Sequence, residues 1–206
     1  MSTATATVRP GAVLADLLPS PKLSASLEQG GAPTRVRDVA LVVGGAVLTG
    51  LAAQISVPVP GSPVPVTGQT FAALLVGTSL GAGRGFLSLA LYAVAGVVGV
   101  PWFAGGTSGS AAVSFGYILG MILASTVVGA LARRGADRSM LRMAGAMLLG
   151  EAIIYAVGVP YLAYAADISA SSAIANGLTP FLIGDALKAA LAMGLLPAAW
   201  RFVNKR

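Results

Sequence analysis

The chain contains no cysteine and no histidine. Disulfides are therefore impossible, zinc, haem and iron–sulfur sites lose their usual ligands, and histidine-based acid–base catalysis is excluded. Charge is also scarce. Only 10% of the 206 residues are charged, against about 25% in soluble domains. There are three lysines, and none follows a Gly-x-x-x-x-Gly loop. The chain thus lacks the usual phosphate cradle of a nucleotide-driven pump, and any energy from ATP has to come from a partner. What is present is apolar: 56% hydrophobic residues and a mean hydropathy of +0.83. This composition is that of an integral membrane protein, and the 27 glycines suit close helix packing in lipid.

Residues 1–33 are rich in Ser, Thr, Ala and Pro and hold no long apolar run. They read as a flexible cytoplasmic tail, with a short amphipathic helix on the membrane surface as the alternative. Six apolar segments follow, at about Val36–Ser56, Gly68–Ala82, Phe86–Val100, Ala111–Ala132, Met140–Ala165 and Leu178–Val203. The expected fold is all-α: one domain over residues 34–206, an integral membrane bundle of six transmembrane helices. A full span takes about 20 residues, so the second and third segments are short.

The basic residues fall on alternate connections. Arg35 and Arg37 precede the first segment, and Arg84 lies between the second and third. Arg133, Arg134, Arg138 and Arg142 lie between the fourth and fifth, and Arg201, Lys205 and Arg206 close the chain. The other three connections carry no Lys or Arg. This asymmetry predicts both termini in the cytoplasm. It also makes the net charge of +6 a topology signal rather than a nucleic-acid footprint. The outer connections have their own character. Val57–Gln69 carries four prolines and is too apolar for a solvated loop, so it reads as a lid. Pro101–Ser110 joins two aromatics to small residues, and Ala166–Asn176 is small and polar.

Charges within the apolar segments are then the informative residues. Asp185 and Lys188 are three apart, on one helical face. Each costs about 2.5–3.5 kcal/mol when it lies near the centre of a span. They sit about 10–15 Å in from the outer end, where a pocket reached from outside would have its floor. An internal salt bridge with no ligand is the alternative. Glu151 is near mid-depth, with Tyr155 one turn away on the same face, and reads either as a packing residue or as part of a cavity. The first segment carries small residues four apart, Ala40 and Gly44, Gly45 and Thr49, Ala46 and Gly50. These serve close helix approach, inside the bundle or onto a partner.

Three stretches resemble the biotin transporter family BioY: Ala53-Gln-Ile-Ser-Val-Pro-Val-Pro-Gly-Ser-Pro-Val-Pro-Val-Thr-Gly-Gln-Thr70, Leu91-Tyr-Ala-Val-Ala-Gly-Val-Val-Gly-Val-Pro-Trp-Phe-Ala-Gly-Gly106 and Pro180-Phe-Leu-Ile-Gly-Asp-Ala-Leu-Lys188. Order and spacing agree from about Val36 to Arg201. The resemblance implies a substrate-binding (S) component of an energy-coupling factor transporter, which captures biotin on the outer face. It also implies a transmembrane coupling protein and a pair of ATP-binding-cassette ATPases as partners. It carries a ligand role onto Asp185 and Lys188, and a coupling-protein contact onto Ala46 and Gly50. Gln69, Tyr155, Trp102, Phe103, Tyr117 and the backbone at Gly105 and Gly106 complete the expected ligand site. No cofactor or metal is expected, and no enzymatic activity.

The family's usual Gly-Pro-Thr-Gly-Gly-Tyr is reduced here to Gly116 and Tyr117 within Ala112-Val-Ser-Phe-Gly-Tyr117, so the pocket wall is altered there. The external half offers no Arg for a ligand carboxylate. Another vitamin such as riboflavin or thiamine is the first alternative. An intramembrane enzyme using Glu151 and Asp185 is a second, but no nucleophile is apparent. A channel would need a polar stripe along several helices.

Overall fold

The computed structural model describes residues 10–18 and 32–204. Seven α-helices and one two-stranded hairpin follow in order: α1 (Ala32–Ala53), β1 (Ser56–Val57), β2 (Val66–Thr67), α2 (Gln69–Leu80), α3 (Ala82–Val97), α4 (Phe115–Arg133), α5 (Met140–Ala165), α6 (Ala170–Gly177) and α7 (Leu182–Asn204). Among the described residues four stretches are long and apolar enough to cross a membrane: Arg35–Ala53, Phe115–Arg133, Met140–Ala165 and Ala170–Val203. α2 and α3 are apolar but shorter, at 12 and 16 residues.

α4 forms the centre and packs against α2, α3 and α5. Small residues make the closest approaches. A Cβ on Gly129 of α4 would lie 2.6 Å from the Ala82 backbone nitrogen and 2.7 Å from the Gly77 carbonyl oxygen. One on Gly77 of α2 would lie 2.7 Å from the Ser125 Cα. The turn between α2 and α3 is a single residue, Gly81, whose φ of 84° lies in the region other residues avoid. α5 and α7 run antiparallel. Trp200, near the end of α7, donates its indole N–H to Asp137, just before α5, at 2.5 Å. Tyr155, further along α5, meets Asp185 in the first turn of α7.

The basic connections converge at one end of the bundle. Arg84 bridges Asp16 at 2.8 Å and Asp38 at 3.1 Å. Arg133 donates to the Gly11 carbonyl and Arg138 to that of Ala12. Residues 10–18 therefore depart from the free tail expected of them. Val13 and Ala15 are buried, and a short 3₁₀ turn, Leu14–Leu17, sits against α2. Burial alone would raise the Asp16 carboxyl. Hydrogen bonds from Arg84 and the Val13 N–H outweigh it and hold the group below its usual range. The rest of the expected tail, 1–9 and 19–31, lies outside the described residues.

The outer connections are more ordered than loops. β1 and β2 pair antiparallel, with Ser56 opposite Thr67 and Val57 opposite Val66, and tie the Pro-rich segment into a hairpin. Ser62 at its tip donates to the Asn176 carbonyl at 2.6 Å. The third connection, small and polar in sequence, contains α6, whose N-cap Ser169 accepts from the Ser172 N–H at 3.2 Å. A run of alanine and serine gives little hydropathy signal, but a Ser cap followed by Ala suffices for two helical turns.

Candidate functional site

A cavity of about 40 Å³ lies beneath the hairpin, between α2, α4, α5 and α7. Its floor is polar and comes from three helices. Lys188 Nζ donates to Asp185 Oδ1 at 2.9 Å and to Thr70 Oγ1 at 2.8 Å. The Tyr155 hydroxyl donates to Asp185 Oδ2. Asp185 is 7% exposed, so this ion pair is desolvated and its polar groups are satisfied by one another. The arrangement has spare capacity. Each carboxylate oxygen accepts one bond and keeps a second acceptor position, and the ammonium has a third N–H.

The walls are apolar and aromatic. Val64 and Pro65 of the hairpin, Phe103, Ile118, Met121 and Ile154 line them. Tyr117 contributes its ring, edge-on to Tyr155 at 6.3 Å, while its hydroxyl donates to the Gly177 carbonyl at 2.7 Å. Gln69 opens α2, is 4% exposed and faces the cavity, and its side-chain nitrogen has no partner among the described residues.

Of the residues expected at the site, Asp185, Lys188, Gln69, Tyr155, Phe103 and Tyr117 line this one cavity. Trp102, Gly105 and Gly106 do not. The Trp102 indole N–H donates to the Tyr92 carbonyl at 3.0 Å, and its ring lies over Gly50. It is an anchor between α1 and α3 rather than a wall. Gly105 and Gly106 are exposed, and the Gly106 N–H is already bonded to the Phe103 carbonyl at 3.0 Å. Thr70 was missed. It follows Gln69 in the first turn of α2, so one helix start delivers both side chains.

The register of α1 turns Ala46 and Gly50, expected at the coupling-protein contact, toward the bundle interior, Ala46 fully buried and Gly50 under Trp102. The small residues left open on α1 are Ala40 and Gly44, among exposed Val39, Val43 and Val47. Nothing lies within 4 Å of where a Gly44 Cβ would be.

Known proteins resemble the chain over most of its length. A family model described as the BioY family matches residues 23–205. A protein of Pyrococcus horikoshii named probable biotin transporter BioY is 35% identical over 162 residues, 77% of this chain and 93% of that one. The biotin transporter BioY2 of Lactococcus lactis is 33% identical over 161 residues, 77% of this chain and 87% of its own length. The biotin transporter BioY of Thermotoga maritima is 38% identical over 144 residues, 68% of this chain and 82% of its length. A crystal structure described as the S-component for biotin from an ECF-type ABC transporter superposes with a TM-score of 0.73 at 19% identity, covering 82% of this chain and 93% of that one, and so shares the fold. The chain belongs to the BioY family.

Proposed function

We propose that this protein captures biotin on the outer face of the cell membrane and delivers it inward as the S component of an energy-coupling factor transporter. The observation that carries the reading is the Asp185–Lys188 floor under apolar walls. Biotin offers two ureido N–H groups and a carbonyl on an otherwise apolar body. The two free acceptor positions on Asp185 match the N–H pair, and the third Lys188 N–H matches an oxygen. Phe103, Tyr117 and Tyr155 pack the rings. The unpartnered amide of Gln69 donates to the ligand, in keeping with the absence of an external arginine.

The hairpin roofs the cavity and is held to α6 by the Ser62 bond to the Asn176 carbonyl, so in this reading it serves as the lid over the ligand. In this reading the chain crosses the membrane six times with both termini in the cytoplasm, α2 and α3 making short spans. It is a carrier component rather than an enzyme, needs no cofactor, and draws its energy from partner ATPases through a transmembrane coupling protein. Equilibrium binding of labelled biotin to the purified full chain tests the proposal, with riboflavin and thiamine as competitors. Saturable binding displaced by biotin alone is expected. Displacement by another vitamin, or no binding, overturns it.

The coupling protein then engages the open face of α1. Gly44→Leu is expected to abolish biotin uptake by the assembled transporter while leaving binding and melting temperature unchanged. Gly50→Leu displaces Trp102 and lowers all three. A Gly44→Leu protein with normal uptake places the contact elsewhere.

A further inference from the structure

Glu151 has no part in the site so far. It is 7% exposed, it does not line the cavity, and neither carboxyl oxygen has a hydrogen-bond partner among the described residues. Its neighbour Tyr155 is committed to Asp185.

Its position is fixed by the two contacts between α5 and α7. Tyr155 meets Asp185, and Asp137 meets Trp200. Glu151 lies one turn, about 6 Å, from Tyr155 toward Asp137. Lys188 lies about 4.5 Å from Asp185 in the same direction along α7. Glu151 and Lys188 therefore leave their helices at similar depth, while the Lys188 ammonium reaches back to Asp185 and Thr70, about one turn above Glu151. Among the described residues no other charge arrives at this depth. α2 offers the neutral Gln69, Thr70 and Thr78, and the titratable group from α4 is Tyr117, against Tyr155.

A buried carboxylate without donors is far costlier than the neutral acid, so such a group keeps its proton. The one cation able to change that is Lys188, now bonded to Asp185 and Thr70 on the cavity side. One ammonium cannot hold that geometry and also neutralise a carboxylate on the opposite helix one turn lower.

We propose that Glu151 is a proton-binding site that sets the position of Lys188. With the proton bound, Lys188 stays on the pocket floor. When the proton leaves to solvent, the new carboxylate draws the ammonium down and off Asp185 and Thr70. The consequence for ligand binding rests on the biotin reading above; the proton site itself does not.

The test is the affinity for labelled biotin between about pH 6 and about pH 9, for the full chain and for Glu151→Gln in the same detergent. The native chain is expected to weaken by about tenfold toward alkaline pH, equivalent to one unit of linked titration. Glu151→Gln removes that dependence, and Glu151→Met does the same without a hydrogen-bonding group. Infrared spectroscopy supplies a ligand-free readout. The carboxylic acid C=O band should be present at neutral pH, fade on alkaline titration and be missing in Glu151→Gln. Equal pH profiles in native chain and variants, or no difference in that band, overturn the inference. A native chain that shows the band but binds no biotin overturns the ligand reading and leaves the proton site standing.

Discussion

Asp185→Asn lowers biotin affinity by about two orders of magnitude, roughly 3 kcal/mol, and also lowers the melting temperature of the ligand-free protein. The size follows from what the substitution removes. Asn has nearly the shape of Asp but loses one acceptor oxygen and the negative charge. The ligand N–H groups then meet a neutral amide in place of a carboxylate, and a hydrogen bond to a charged group is worth about 1.5–3 kcal/mol. The Lys188 ammonium, left with the neutral Thr70 and amide oxygens, adds a cost in stability that the ligand-free protein shares. Lys188→Ala has a comparable effect by the opposite route, since it leaves the carboxylate to Tyr155 alone. Thr70→Val keeps both charges, so its loss is smaller, about tenfold. Equilibrium binding with labelled biotin measures all three. Near-normal affinity in both charge variants would place the ligand away from this floor.

Gly129→Leu prevents folding, or lowers the detergent melting temperature more than any change on the lipid-facing surface. The obstacle is backbone rather than side chain. Even a methyl group on Gly129 would press on the Ala82 nitrogen and the Gly77 carbonyl, on either side of the one-residue turn at Gly81. Side chains can turn aside, whereas the ends of two helices joined by a single glycine cannot. The expected cost is at least about 3 kcal/mol, the upper part of the overpacking range. Gly145→Ala is the control. Nothing lies within 4 Å of its Cβ position, and in a helix the change gains up to about 1 kcal/mol from propensity. Thermal unfolding in detergent separates the two, and a Gly129→Leu protein as stable as the parent would contradict the packing described for α2, α3 and α4.

Hydropathy and the placement of arginines carried most of the architecture. α1, α4, α5 and α7 lie where long apolar runs predict them, and the arginine-bearing connections meet at one end of the bundle. Asp185 and Lys188 were legible because a charge among apolar neighbours is conspicuous. Thr70 was not, since a threonine in a span is ordinary until the lysine facing it is known. The register of α1 was also hidden. Three pairs of small residues point in three directions around the helix, and only tertiary packing decides which are covered. The docking of Val13 and Asp16 was hidden for a related reason: a nine-residue stretch has no periodicity of its own, and it takes its place from Arg84, Arg133 and Arg138 on other elements.

The brevity of α3 has a consequence for the lipid around it. Its exposed stripe runs from Phe86 to Val98, about 18 Å of helix rise, beside a hydrocarbon layer about 30 Å thick. α1, next to it, is 22 residues long and matches that thickness. In the six-span arrangement proposed above, the bilayer thins along the α3 flank of the protein and not along the other, at a fraction of a kcal/mol per Å of mismatch. The lipid collar around the protein is then lopsided, thin beside α3 and of full depth beside α1.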